Sequence, residues 1–293
     1  MTLEQLRIFV VVAERLHMTQ AAAVLNMAQS AVSAAIQALE TSVGMRLFNR
    51  VGRRIELAAA GKVLLPEAKA VLRRVAQAEQ ALADLQGLLR GHLAIWASQT
   101  IAGYWLPRFV DRFHEAHAQV SVALMIGNTA QVARAVLEGD ADLGFVEGDV
   151  DDPLLVPIEV GTDELVLVVG PHHPWATKKA LVPGDLAATT WVLRERGSGT
   201  RQVFEDALRA YGLTADDLKV ALELPSNEAV CSAVEAGRSA TVISRLAVAA
   251  RMTAGALVEM PLRFPERRFL ALRHGDRHRS RAEAAFLELI KAG

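Results

Sequence analysis

The chain contains one cysteine, Cys231, in 293 residues. A single thiol rules out an internal disulfide framework and suits a reducing compartment. No apolar run approaches the length of a membrane span. The N-terminus also lacks the basic, then apolar, then small-residue order of an export signal. We therefore expect a cytoplasmic protein with no membrane contact. A large net charge is absent too, the balance being −1. That neutrality conceals an asymmetry: residues 1–90 carry 11 Lys and Arg against 7 Asp and Glu, and the remainder carries 21 against 26. A mildly basic head on an acidic body points to contact with a polyanion through the head alone. The apolar content of 52% is enough for two or three domains with sizeable cores.

Catalytic constellations are equally scarce. Gly197-Ser198-Gly199 lacks the spacing of a nucleophile elbow, and Gly61-Lys62-Val63 lacks the upstream glycine and the Ser or Thr of a phosphate-binding loop. His114 and His117, His172 and His173, and His274 and His278 are pairs that no cysteine or well-placed acidic pair joins. They read as surface histidines, with no metal, no cofactor and no enzyme.

Residues 19–57 are the most informative. A short helix over 19–26, capped by Thr19, is followed by a turn at Met27-Ala28 and a second helix from 29 to 42. Val32, Ile36, Leu39 and Val43 form one apolar stripe on that second helix. Its other side carries Gln29, Ser30, Ser33 and Gln37, short uncharged hydrogen-bonders able to enter a major groove and read base edges, with Thr19 a further candidate for DNA contact. Leu47-Phe48 and Ile55-Glu56-Leu57 flank a turn bearing Arg50, Arg53 and Arg54, a two-stranded wing with cations at its tip for phosphates or a minor groove. A helical hairpin packed in another core would explain the stripe. It would explain neither the uncharged outer face nor the clustered arginines.

Leu6-Arg7-Ile8-Phe9, Ala21-Ala22-Ala23-Val24-Leu25-Asn26, Gln29-Ser30-Ala31-Val32-Ser33, Ile36-Gln37-Ala38-Leu39-Glu40 and Gly44-Met45-Arg46-Leu47-Phe48-Asn49-Arg50 resemble, in order and spacing, the N-terminal signature of LysR-type transcriptional regulators. Two departures stand out. Ala34 occupies a position where family members usually carry Arg, and Ala58-Ala59-Ala60-Gly61 replaces Thr-Glu-Ala-Gly after the wing.

A long helix over 59–89 follows, with Pro66 in its early turns. Leu64, Ala68, Val71, Val75, Ala78, Leu82, Leu85 and Leu89 alternate in steps of four and three, a seam that suits pairing with a second chain. The other reading is an amphipathic helix lying on the protein's own body. Gly87 and Gly91 then supply a hinge.

From Gly91 strands over 92–97, 120–126, 142–146, 164–169, 190–193, 219–224, 240–243 and 268–272 alternate with helices over 104–116, 131–138, 200–211, 228–236 and 281–290. Alternation of this kind implies α/β architecture with largely parallel sheets. The overall expectation is α+β: a winged helix-turn-helix (1–58), a linker helix (59–90) and an effector domain (91–293). The last divides into subdomain I (91–161 and 266–293) and subdomain II (162–265). The resemblance implies a fold similar to periplasmic solute-binding proteins, with a small-molecule effector in the cleft between subdomains. Ser98, Thr100, Asn128, Thr129, Ser198, Gly199, Thr200 and Asn227 would meet there as hydroxyls, amides and backbone N–H groups at helix N-termini, a setting for a small anion. Glu147 could face the same cleft and would favour a protonated or amine-bearing ligand. Residues 194–201 resemble the subgroup that senses sulfite, sulfate-derived metabolites or carbon-fixation intermediates. Cys231 reads as a buried small hydrophobe, with oxidant sensing the alternative.

The expected protein is a ligand-responsive regulator bound to double-stranded promoter DNA. It would be a homodimer through the linker helix, with a homotetramer added by the resemblance. A solute-binding protein with an N-terminal interaction module is the alternative.

Overall fold

The computed structural model describes residues 1–52, 54–85 and 90–293, with all of their side chains except those of residues 80 and 83–85. They fall into two compact units, Met1–Gln86 and Gly87–Gly293.

In the first unit, α1 (Leu3–Arg15) opens on a capping box in which the Thr2 hydroxyl accepts from Gln5 N and the Gln5 side chain accepts from Thr2 N. Helix α2 (Met18–Leu25) begins earlier than expected. Leu16 ends α1 in the left-handed region at φ 48°. That sharp exit makes His17 the last extended residue, and its Nδ1 accepts from Gln20 N. Thr19 is therefore an exposed residue inside α2, not its cap. Helix α3 (Gln29–Val43) lies at 106° to α2, within the range of a helix-turn-helix. The strands β1 (Phe48–Val51) and β2 (Arg54–Leu57) pair antiparallel, and α4 (Ala59–Leu85) continues through Pro66.

Val32, Ile36 and Leu39 are buried against Phe9, Val12 and Leu47, and the Phe9 and Phe48 rings stand 5.5 Å apart. Two residues pin the wing to this core. Glu40 Oε1 accepts from both Leu47 N (2.7 Å) and Phe48 N (3.1 Å). Gly61 lets α4 approach so closely that a Cβ there would lie 2.2 Å from the Leu47 carbonyl oxygen.

The second unit contains β3 (Gly91–Ser98), a π-helical turn (Ile101–Trp105), α5 (Pro107–Ala116), β4 (Val120–Gly127), α6 (Thr129–Glu138), β5 (Leu143–Glu147), β6 (Leu155–Asp163), β7 (Leu165–Val169), α7 (Pro183–Ala188) and β8 (Thr190–Arg194). It continues with α8 (Gly199–Leu208), β9 (Lys219–Leu224), α9 (Asn227–Ala236), β10 (Ala240–Ser244), α10 (Arg245–Thr253), β11 (Val258–Arg263), β12 (Arg267–His274) and α11 (Arg281–Lys291). One sheet has the order β4-β3-β5-β12-β6 and the other β11-β7-β10-β8-β9. Both are mixed, which corrects the expectation of largely parallel sheets. Strand β3 runs parallel to β4 and β5, whereas β12 runs antiparallel to both β5 and β6. In the other sheet β8 runs parallel to β9 and β10, and β7 antiparallel to β10 and β11. The chain leaves the first sheet along β6 and returns along β12 beside it, with Arg267 opposite Asp163. The return strand must therefore run backwards.

Phe109, Phe113, Phe145, Phe269 and Phe286 fill one face of the first sheet, and Val132, Val136 and Leu272 the other. Trp191 and Phe204 anchor one face of the second sheet. Cys231 is fully buried with Val230, Val234 and Ile243 on its other face. Burial, against the opposing charge of Arg251, pushes the Cys231 thiol up to about 11, so it packs as a small hydrophobe. His173 corrects the reading of surface histidines. It is buried, accepts from Trp175 N at Nδ1 and faces the Thr189 hydroxyl at Nε2.

Candidate DNA interface and effector cleft

On α3, Gln29, Ser30, Ala34 and Gln37 are exposed, while Ser33 is half-buried at the margin of the core face. Ser33 is thus less free to meet a base than its position opposite the stripe implied, because it adjoins buried Val32. Ala31 and Ala34 are also exposed and small. The face is therefore narrow and uncharged, as close approach to base edges requires. Arg50 and Arg54 are exposed on opposite wing strands at adjacent rungs of the ladder, Arg50 paired with Ile55 and Arg54 with Val51. Gly52 takes φ +62° at the tip. Arg53 falls outside the described residues.

The linker seam divides into two parts. Ala68 is buried and Leu64 half-buried in the head's own core, joined there by Leu65 and Leu72. Further along, Val71 is 43% and Leu82 65% exposed, Ala78 is exposed and Val75 half-buried. The side chain of Leu85 and the whole of Gly87 and Leu89 lie outside the described residues.

In the second unit, Ser98, Thr100, Thr129, Glu147, Ser198, Thr200 and Asn227 are all buried. The chain brings them together where strand ends of one sheet face helix starts beside the other. Gly199 is needed at this junction, since a Cβ would lie 2.4 Å from the Glu147 carbonyl oxygen and 2.7 Å from Thr129 Oγ1. Asn128 caps α6 through its side chain, in a capping box with Gln131. It also donates to Glu195 Oε1 (3.3 Å).

Not every expected cap forms. Ser198 precedes α8 without a side-chain cap bond, and α9 is capped by Ser226 rather than Asn227. Asn227 instead accepts from Arg194 (2.5 Å) and donates to Thr100 Oγ1 (3.2 Å). Thr200 Oγ1 accepts from Arg267 Nη1 (3.0 Å). At Asn227 a buried arginine, Arg194, takes the side-chain oxygen that a cap would use. Two hydroxyls are left over: Ser98 Oγ and Thr129 Oγ1 are buried with no hydrogen-bond partner.

Two buried arginines face three carboxylates here. Arg194, buried, holds Glu195 at 2.8 and 3.0 Å. Burial works to raise the Glu195 carboxyl, but Arg194 outweighs it and holds Glu195 below the ordinary carboxylate range. Arg267 binds Asp163 through two nitrogens (2.8 and 2.5 Å) and lies 3.8 Å from Glu147. The Ser244 hydroxyl also donates to Asp163 (2.9 Å). At Asp163 burial prevails over the nearby guanidinium and raises the carboxyl. Sequence reasoning placed Gln99 and Arg194 in segments that meet at the cleft without giving either a role, and missed Arg267 and Asp163. A charged residue at a strand end beside a glycine-rich turn was the available signal for Arg194. Among the described residues no group of three or more His, Cys, Asp and Glu is placed to hold a metal ion.

Residues 3–62 match the model for the bacterial regulatory helix-turn-helix protein, lysR family, and residues 86–293 match the LysR substrate binding domain. The chain belongs to the LysR family. It is a LysR-type transcriptional regulator with an effector-binding domain. Curated relatives agree. The uncharacterized HTH-type transcriptional regulator YeiE of Escherichia coli is 35% identical over 98% of this chain and 96% of its own length. The RuBisCO operon transcriptional regulator of Acidithiobacillus ferrooxidans is 33% identical over 99% of this chain and 94% of its own. Among solved structures, full-length CbnR complexed with its target DNA shares the fold of this LysR regulator. Its TM-score is 0.75 at 22% identity, covering 100% of this chain and 99% of that one. No single described helix is long and apolar enough to cross a membrane.

Proposed function

We propose that this LysR regulator binds promoter DNA through α3 and the wing, and that a small anion in the cleft of its second unit modulates that binding. Gln29, Ser30 and Gln37 read base edges, with Ser33 at the margin, while Arg50, Arg53 and Arg54 hold phosphates. The effector is held by Ser98, Thr100, Asn128, Thr129, Ser198, Gly199, Thr200 and Asn227. The observation that carries the effector reading is the pair of orphaned hydroxyls, Ser98 Oγ and Thr129 Oγ1. A buried polar atom without a partner is unfavourable, and a ligand supplies what each lacks. The uncapped start of α8 adds a positive helix end. Arg194 offsets Glu195, and Arg267 is shared between Asp163 and Glu147, so the helix ends work against one remaining carboxylate. The exposed Val71 and Leu82 support pairing of two chains along α4, and membership of the family adds a tetramer. Two heads then read two half-sites of an interrupted palindrome, in the cytoplasm, without catalysis.

Calorimetry against sulfite, sulfate, phosphate and small carboxylates tests the effector reading. Ser98→Ala and Thr129→Val remove only unpartnered oxygens, so the ligand-free protein should be as stable as wild type or more so. Each should weaken binding of the anion about tenfold or more. If no anion binds wild type, or if both variants bind it as tightly as wild type does, the assignment is wrong. Loss of gel-shift with promoter fragments on removing residues 1–58 separates a regulator from a solute-binding protein.

A further inference from the structure

The cleft is bridged on one flank by residues outside the effector set. Gln99 follows Ser98 at the end of β3 and uses both ends of its amide on the far side. Its Nε2 donates to the Pro225 carbonyl (2.6 Å) and its Oε1 accepts from Asn227 N (2.9 Å). This two-point grip on backbone resembles the pairing of one strand residue with its neighbour. Five residues on, the Tyr104 hydroxyl donates to Glu228 Oε1 (2.7 Å) in the first turn of α9. Tyr104 stands in the π-helical turn, closed by Leu106 N donating to the Ile101 carbonyl (2.8 Å). A π turn holds one more residue than an α turn and rotates the side chains it carries. Here it directs Tyr104 across the cleft, away from the aromatic core that takes Trp105. Burial and then the bond to Glu228 push the Tyr104 hydroxyl up to about 12, which keeps it a donor at any physiological pH.

We propose that Gln99 and Tyr104 form a clasp on the start of α9 that sets how often the two halves of the second unit are closed. They are positioning residues: Gln99 fixes the backbone of Asn227, whose side chain links Thr100 to Arg194. The clasp thereby sets the orientation of three cleft residues. A protein that is closed only part of the time binds its effector more weakly by that fraction. The clasp therefore tunes sensitivity to effector without touching it. That consequence rests on the effector reading above, whereas closure itself is measurable without any ligand.

The test uses the full chain with spin labels on Arg134→Cys and Arg209→Cys, whose native side chains are 76% and 79% exposed. Native Cys231 is fully buried and escapes labelling. Samples are diluted with unlabelled protein to suppress distances between chains. Double electron–electron resonance, with no ligand added, should give wild type one dominant distance. Gln99→Ala and Tyr104→Phe should each raise the ratio of open to closed molecules roughly three- to tenfold, as loss of a hydrogen bond implies. The double variant should show a clear second distance with an unfolding midpoint close to wild type. Tyr211→Phe is the control, because it deletes a comparable hydroxyl bond, to the Arg263 carbonyl, far from the clasp in sequence and on the second sheet's side alone. An unchanged distance distribution in the double variant overturns the proposal, and so does an equal change in Tyr211→Phe.

Discussion

Glu283 offers a test of the fold that is independent of any ligand. It is buried at the start of α11, and burial followed by the neighbouring charge of Asp142 raises its carboxyl from an ordinary 4.5 to about 7. The folded protein therefore keeps a proton that the unfolded chain has lost between those two values. The linked stability is fully present below pH 4.5, declines as pH rises toward 7, and is absent above it. A displacement of this size corresponds to at most roughly 3 kcal/mol, and solvent relaxation makes about 1–2 kcal/mol the realistic figure. Glu283→Gln isolates the effect. Glutamine keeps the acceptor that faces Ser280 N, so the capping box with Ser280 survives, while the ionisable proton is gone. The variant should match wild type at pH 4.5 and exceed it by about 1–2 kcal/mol at pH 8. In urea that is a midpoint difference of roughly 0.5 M. All four tryptophans (Trp96, Trp105, Trp175 and Trp191) lie beyond residue 90, so their emission follows the second unit alone. Glu288→Gln, on the exposed side of the same helix, is the control. Wild type and Glu283→Gln midpoints that run parallel from pH 4.5 to 8 would refute the reasoning.

Four further outcomes are expected. Gly61→Ala forces a methyl group onto the Leu47 carbonyl, 2.2 Å away. It should destabilise the head by about 2 kcal/mol or more, read as early loss of helical signal at unchanged tryptophan emission. Ser30→Glu, on an exposed position of α3, should abolish sequence-specific footprints with folding intact, whereas Arg50→Ala should weaken binding to all sequences alike and flatten its salt dependence. Persistence of specific footprints in Ser30→Glu would exclude α3 as the reader. Val71→Asp with Leu82→Asp should lower the sedimenting mass of the full chain, and an unchanged mass would mean that α4 does not pair.

Much of the head was legible because its signals are local. The spacing of Val32, Ile36 and Leu39 fixes a buried face, and the glycine-bearing turn before Ile55 fixes a hairpin. What escaped were effects of neighbours distant in sequence. Thr19 has the chemistry of a cap, yet the left-handed exit at Leu16 shifted the helix start to Met18. The first half of the α4 seam serves the head's own core, because Leu64 and Ala68 meet α1 and the wing before any second chain can. In the second unit, β6 and β11 were missed for one reason. Each is an edge strand interrupted by proline, Pro157 and Pro261, and such strands lack an unbroken apolar pattern. The cleft residues themselves could be picked out by their position after strands. Their partners could not, since Arg194 and Arg267 engage oxygens 33 and 67 residues away.

The two crossings between the sheets lie side by side, with Arg267 opposite Asp163 in one antiparallel ladder. Two ribbons joined edge to edge resist shear in their plane but bend readily across their width, like a strap hinge. Such a crossing favours a swing of the halves about one axis over sliding past one another. An output with one coordinate suits a switch that must report occupancy, whatever the chemistry of the occupant.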